Sequence, residues 1–241
     1  MDPSVTIDAL SSNRFGKSVR GLITRLPIYS TLAWLRAIRP AIMLDIGCGK
    51  GESIPGFASL RSAGQMRDLQ VVGLDIFAPY LRDARDRGVI DDAVLGDARK
   101  LPFRIRSFDV SVAVEVIEHL TKEDGEKVLD DLERVSRRAI IVTTPNGYVS
   151  QDGYDWEGRQ NPYQAHLSGW SSKDLTKRSY KVHGLSGLKI FRKDHGRIRV
   201  PGFLGFFFFA LAYLSQSIVF FVPRLAFRFV AIKLLSSERK A

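Results

Sequence analysis

Five short apolar runs recur across residues 41–145, and each stops at a glycine, an acid or a proline. They are AIMLDIG (41–47), LQVVGLD (69–75), AVLGD (93–97), FDVSVAVE (108–115) and RAIIVTTP (138–145). Brief, near-continuous apolar runs of this kind read as strands buried on both faces. Between them lie stretches with helical periodicity, PYLRDARDRGV (79–89) and KEDGEKVLDDLERVSRR (122–138). In the second, Val128, Leu129, Leu132 and Val135 fall on one face. Strands alternating with helices restrict the chain to the α/β class, a parallel sheet with helices on both faces. In such sheets the ligand sits beyond the carboxyl ends of the strands. The residues that close each run are therefore the candidates for chemistry.

The first run closes in DIGCGKG (45–51). Gly47, Gly49 and Gly51, at alternate positions, allow a tight turn and a close approach of ligand to backbone. Nucleotide-binding dehydrogenases use such loops too, so the loop alone does not decide the ligand. The second run closes in Asp75, which could accept hydrogen bonds from both hydroxyls of a ribose. The third closes in Gly96-Asp97-Ala98, followed by Leu101-Pro102-Phe103. The fourth opens on Phe108-Asp109 and closes in Glu115-Val116-Ile117-Glu118-His119-Leu120.

This ordered set resembles the class I S-adenosylmethionine-dependent methyltransferases, in particular the small-molecule and lipid branch that includes ubiquinone-type methyltransferases. The resemblance covers residues 40–150 or so and weakens toward the C-terminus. It implies a doubly wound, seven-stranded Rossmann-like sheet and S-adenosylmethionine as cofactor. It also implies roles. Gly47, Gly49 and Gly51, with Cys48 between them, would cradle the methionine and ribose. Asp45 would help hold the amino group, directly or through water. Asp75, with Ile76 beside it, would bind the ribose, and Asp97 would accept from the adenine amino group with Ala98 against the ring. Glu115 would close the site under the sulfonium. A ring of carboxylates suits a cationic cofactor with an α-amino group better than it suits a pyrophosphate. Asp109 reads instead as a strand and turn residue, and Cys48, with no base nearby in sequence, as a packing residue.

Methyl transfer from a sulfonium is an in-line displacement in which the enzyme mainly aligns and desolvates. An oxygen acceptor also needs a base, and His119 and His166 are the candidates. Residues 148–170 add Tyr148, Tyr154, Trp156, Tyr163 and Trp170, which either line an acceptor pocket or pack the loop down. Glu115, Glu118 and His119 have spacings of three and four and would share a helix face. In the ubiquinone-type enzymes this spelling is associated with a divalent cation; local hydrogen bonding is the other reading, and no metal is assigned. Asn161-Pro162-Tyr163 resembles part of the box of nucleic-acid amino-methyltransferases. It follows the fifth strand rather than the fourth and lacks the second proline, so no nucleic-acid partner is expected.

The remaining signals concern location. The chain has 36 Lys+Arg against 26 Asp+Glu, a net charge of +10, which favours anionic partners. One cysteine excludes an internal disulfide and fits a reducing compartment, and the N-terminus shows no signal-peptide core. Ser171 to Asp174 offers a capping box for a helix reaching about Ser179, with a strand within 179–196. Then comes VPGFLGFFFFALAYLSQSIVFFVP (200–223), without a charge, and RLAFRFVAIKLL (224–235), which resembles the family's final antiparallel strand. Phe203 to Val222 would reach about 30 Å as a helix, enough to span a bilayer. A segment joining two strands of one sheet must return to the side it left. The expectation is thus an apolar insert at an anionic membrane surface, on a cytoplasmic, peripheral or monotopic protein. The expected organisation is a helical segment at 1–40, a methyltransferase core at 41–200, the insert at 201–223, and a final strand and tail at 224–241. The expected activity is methyl transfer to a hydroxyl of a small-molecule, lipid-like or membrane-linked acceptor. The alternatives are a non-catalytic cofactor-binding adaptor and a single-pass protein whose 224–241 tail lies outside the fold.

Overall fold

The structure, a computed structural model, describes residues 31–51, 54, 57–64, 66–155, 158–192, 208, 211–212 and 214–235. Seven strands form one sheet in the order β3-β2-β1-β4-β5-β7-β6. They are β1 (Ile42–Ile46), β2 (Gln70–Asp75), β3 (Asp92–Leu95), β4 (Phe108–Val114), β5 (Ser136–Pro145), β6 (Lys181–Leu188) and β7 (Ala226–Leu234). The first five run parallel, and β7 inserts antiparallel between β5 and β6. The described helices are α1 (Thr31–Ile38), α2 (Phe57–Ser62), α3 (Ala78–Asp86), α4 (Lys122–Val135), α5 (Ser172–Lys177) and α6 (Gln216–Phe221).

The apolar runs form strands because both faces of the sheet are covered. Successive residues enter opposite cores, as a period of two requires. Leu44, Ile46, Ile140, Val142, Phe229 and Ala231 pack on the face that also holds Val128, Leu129, Leu132 and Val135 of α4. Met43, Ala139, Ile141, Val230 and Ile232 pack on the opposite face with Leu35 of α1 and Leu81 of α3. Thr121 caps α4 by accepting from the Asp124 amide, and Ser171 and Asp174 form the expected capping box for α5. Two helices end earlier than their periodicity suggests. α4 stops at Val135 because Ser136 already begins β5, and α5 stops at Lys177, with Ser179 at φ 66°.

The expected helix face shared by Glu115, Glu118 and His119 does not form. The Glu115 amide donates to Thr143 O at 2.9 Å, continuing the β4–β5 ladder, and its own φ is 55°. Only 117–119 then wind into one 3₁₀ turn. Glu115 therefore stays at the end of the sheet ladder, outside the turn that carries Glu118 and His119.

The C-terminal third resolves a question of topology. Residues 226–234 are the strand between β5 and β6, so they are not a tail outside the fold. Residues 201–207, 209, 210 and 213 of the apolar run lie outside the described residues. Its described end forms α6, which lies on β6. Val219 and Phe220 are buried, and Phe220 stacks on His183 at 4.2 Å. Gly184 permits this approach, because a Cβ there would stand 2.1 Å from Val219 O. Among the described residues, no helix is long and apolar enough to cross a membrane.

Candidate active site

A cavity of about 300 Å³ opens at the carboxyl ends of the parallel strands. Gly47, Gly49, Asp75, Ile76, Asp97, Ala98 and Glu115 all line it. Gly49, at φ 55°, faces open space where a side chain would stand, so a ligand can lie directly on the loop. Its amide donates to Asp75 Oδ2 at 2.9 Å, and the Phe77 amide donates to Oδ1 at 2.8 Å. Asp75 is 7% exposed. Burial pushes its carboxyl above the ordinary aspartate range, against the pull of these amides. Each oxygen keeps a second lone pair, so the cis-diol of a ribose can still donate to both.

Asp97 is more committed than its sequence position suggests. Arg99 grips both its oxygens, with Nε at 3.0 and 2.9 Å and one terminal nitrogen at 2.6 Å. This guanidinium holds the Asp97 carboxyl below the usual range. An adenine amino group would share Asp97 with Arg99, which also lines the cavity.

Asp45, Cys48 and Gly51 stand behind the lining. Asp45 is buried within β1, paired with Gly73 and Val112. The Cys48 thiol is enclosed in the core and pushed upward by burial, then by the charges of Asp45 and Asp75, so it is neutral packing and not a nucleophile. Gly51 packs against Val89. None of the three is among the residues that line the cavity. Asp109 is structural, as expected: it accepts from the Ala41 and Ile42 amides at the far end of β1.

Glu115 lines the cavity at the end of β4. Thr143 Oγ1 donates to its Oε1 at 3.1 Å, and Arg228 Nε lies 3.2 Å from its Oε2. Arg228 could not be found from sequence, since its role depends on β7 lying beside β5. Next to Glu115 the fold gathers Glu118, His119 and His166, whose ligand atoms all lie within 4.8 Å of one another. The two imidazoles meet edge to face at 4.7 Å. His119 lines the cavity; His166 stands behind it. His119 Nδ1 is 3.2 Å from Ala165 O and His166 Nδ1 is 2.6 Å from Val149 O. A carbonyl can only accept, so each Nδ1 carries the proton in the assigned tautomer and each Nε2 keeps its lone pair. Burial, and then the neighbouring His166, lowers His119 to about 4. Glu118 is pushed well up by burial and then by the charge of Glu115. Thr144 Oγ1 donates to its Oε2 at 2.9 Å, while Oε1 is buried with no hydrogen-bond partner. An orphaned carboxylate oxygen beside two oriented imidazoles fits a divalent cation.

The loop after β5 forms the outer wall. Leu167 and Ser168 amides donate to Glu118 O, and Trp170 Nε1 donates to Ile117 O at 3.1 Å. The aromatics divide: Tyr163 lines the cavity, Trp170 is packing, Tyr148 and Tyr154 are exposed, and Trp156 lies outside the described residues. A clamp absent from the sequence reading joins this loop to the glycine loop. Lys50 pairs with Asp155 at 3.1 Å, and Tyr80 Oη donates to Asp155 at 2.7 Å.

Residues 44–143 match the family model of a methyltransferase domain. A protein of Encephalitozoon cuniculi (strain GB-M1), named as a methyltransferase, is 30% identical over 164 residues, 66% of this chain and 70% of that protein. The 27-O-demethylrifamycin SV methyltransferase of Amycolatopsis mediterranei (strain S699) is 33% identical over 114 residues, 45% of this chain and 36% of that enzyme. The tRNA (carboxymethyluridine(34)-5-O)-methyltransferase of Arabidopsis thaliana is 28% identical over 141 residues, 58% of this chain and 28% of that enzyme. The match thus spans well under half of the two relatives whose substrates are named. A chain from the complex between the Haloferax volcanii Trm112 methyltransferase activator and its partner methyltransferase aligns with a TM-score of 0.52. That alignment covers 97% of this chain and 94% of the other at 14% identity, a likeness of fold.

Proposed function

The chain belongs to the S-adenosylmethionine-dependent methyltransferases, and from that premise we propose that it methylates a hydroxyl of a small, largely apolar acceptor. The observation that carries this reading is the make-up of the cavity's acceptor end. Leu120, Pro162, Tyr163 and Leu167 supply an apolar rim there, and the cavity as a whole carries Asp75, Asp97, Glu115 and Asp124 against the single cation Arg99 among its lining residues. A nucleic-acid acceptor brings phosphates, which favour a lining of the opposite sign. The tRNA-methylating relative keeps RNA as the competing acceptor. That relative and the rifamycin relative are both named as O-methyltransferases, which supports an oxygen acceptor.

S-adenosylmethionine supplies the methyl group on a sulfonium. Asp75 would hold the ribose, the Gly49 backbone would let the methionine part lie close, and Glu115 would set a negative charge near the sulfonium. His119 would orient the acceptor hydroxyl and take its proton at Nε2. A histidine lowered to about 4 is a weak base, so it matches an acidic hydroxyl, phenolic or enolic, better than a plain alcohol. The orphaned Glu118 oxygen supports a second element of the reading. In that variant Glu118, His119 and His166 would hold a divalent cation, the Nε2 lone pair of His119 would be a ligand and not a base, and the cation would supply the acidification of the acceptor hydroxyl in its place.

The test uses purified protein, methyl-labelled S-adenosylmethionine, and separate lipid, small-molecule and RNA fractions of cells. Label in an alkali-stable product of the apolar fraction is expected. Label in RNA alone would overturn the acceptor class and leave the methyltransferase assignment intact.

A further inference from the structure

The face of α6 turned away from the sheet has no role in the site described above. Ile218 and Phe221, three apart on α6, share one face, and Leu214 just before the helix and Leu225 in the 3₁₀ turn after it add apolar side chains on either side. All four are exposed, Phe221 at 77%. Ile190, 70% exposed, joins them from the turn after β6, which is tied to this segment by the Leu188 amide donating to Ser215 Oγ at 3.0 Å. Lys189 and Arg224 flank the stripe and are exposed, and neither forms an ion pair among the described residues. No Asp or Glu occurs anywhere between Asp194 and Glu238.

The stripe stands at the catalytic end of the sheet. Asn146, directly after β5, donates from Nδ2 to the carbonyls of Pro223, Arg224 and Ala226, and Lys189 donates to the Asn146 carbonyl. Two residues past Ala226, Arg228 reaches Glu115 in the cavity wall. Because β6 and β7 are neighbours, the chain leaves and re-enters the sheet at this same end.

We propose that this face docks on the surface of an anionic lipid bilayer. α6 lies flat in the interface, with Leu214, Ile218 and Phe221 among the acyl chains and Lys189 and Arg224 against the headgroups. Three observations choose this occupant. The apolar stripe is too concentrated to be ordinary surface. Its charged border is cationic, with no acid to pair a basic partner. The segment is a short helix bound along a sheet, which suits lying on a membrane and not crossing it. Docking does not depend on the acceptor chemistry, although it would bring an apolar acceptor to the end of the sheet where Glu115 and His119 stand.

The experiment is co-sedimentation of the whole protein with vesicles of phosphatidylcholine, with and without phosphatidylglycerol. Binding is expected only where phosphatidylglycerol is present, and should weaken at high salt. Arg224→Gln should reduce it roughly fivefold, the loss of about one favourable charge at the surface. Ile218→Asp with Phe221→Asp should reduce it at least tenfold, with S-adenosylhomocysteine binding and Tm unchanged because both side chains are exposed. Equal sedimentation of the double variant and the wild type would overturn the proposal. So would a wild type that ignores vesicles but dimerises, with the double variant monomeric in analytical ultracentrifugation; the stripe would then be an interface between two copies. Loss of methyl transfer with vesicle binding intact would count against the proposed acceptor and not against this surface.

Discussion

Asp75→Asn changes one atom in the cavity wall and, on the proposed assignment of Asp75 to the ribose, should cost most of the affinity for S-adenosylhomocysteine. The carboxylate accepts the Gly49 amide at 2.9 Å and the Phe77 amide at 2.8 Å, and offers its remaining lone pairs to the ribose diol. Asparagine keeps one acceptor oxygen. Its NH₂ must face either the Gly49 or the Phe77 N–H, a donor against a donor, or else turn toward a ribose hydroxyl that also needs an acceptor. A hydrogen bond to a charged group is worth about 1.5–3 kcal/mol, so losing one or two costs roughly 2–5 kcal/mol. In Kd this is roughly thirtyfold to a few thousandfold. Isothermal titration calorimetry measures it directly. The pH profile supplies a second reading. Burial raises the Asp75 carboxyl above its ordinary value, and the ionised form is the one that accepts. Wild-type affinity should therefore be full at neutral pH and fall with acidification, beginning above the usual aspartate range. The asparagine variant should lack that component. A variant that binds within about threefold of wild type, or that keeps the acid limb, would refute the assignment of Asp75 to the ribose.

Other consequences can be measured separately. Manganese titrated into the protein and followed by electron paramagnetic resonance should bind, and Glu118→Gln or His166→Gln should each weaken binding about tenfold or more; chelator-treated protein with no measurable manganese affinity would remove the cation from the reading. Gly184→Ala should lower stability by about 1–3 kcal/mol, because its Cβ would meet Val219 O at 2.1 Å and drive α6 off β6; an unchanged Tm would show that this packing is wrong. Asp155→Ala removes a carboxylate from the nearly buried Lys50 ammonium and should lower stability in denaturant unfolding, by up to about 3 kcal/mol. Lys50→Met in the same chain should recover much of that loss, and failure to do so would mean the pair is not what holds the loop.

The cofactor half of the site was largely legible in the sequence because its residues close consecutive strands. Once a parallel sheet is inferred, the ends of runs at 41–47, 69–75, 93–97 and 108–115 must meet at one edge. Gly49, Asp75, Asp97 and Glu115 do so. The pattern cannot tell a residue that lines the cavity from one that supports it. Asp45, Cys48 and Gly51 sit in the same short stretch as Gly47 and Gly49, yet face the core. The difference lies in what packs against each position, Val89 against Gly51 and open space at Gly49, and the order of residue types does not report it. Arg99 escaped notice because a basic residue two places after an acid is common on any surface.

The sequence by itself determined the α/β class, the strand ends that make the cofactor pocket, and the two histidines worth watching. Those follow from periodicities of 2 and 3.6 and from residue types that act locally. Tertiary structure alone decided which residues stand together. Glu115 stays in the β4–β5 ladder through its amide, and His166 joins Glu118 and His119 because the loop after β5 hydrogen-bonds to the Glu118 carbonyl. Hydropathy alone allowed the 200–223 run to cross a membrane, but β7 returns between β5 and β6, so its described end is held flat on the sheet with one face out. Such outcomes turn on strand order and on contacts between residues tens of positions apart, which a local pattern in the chain does not carry.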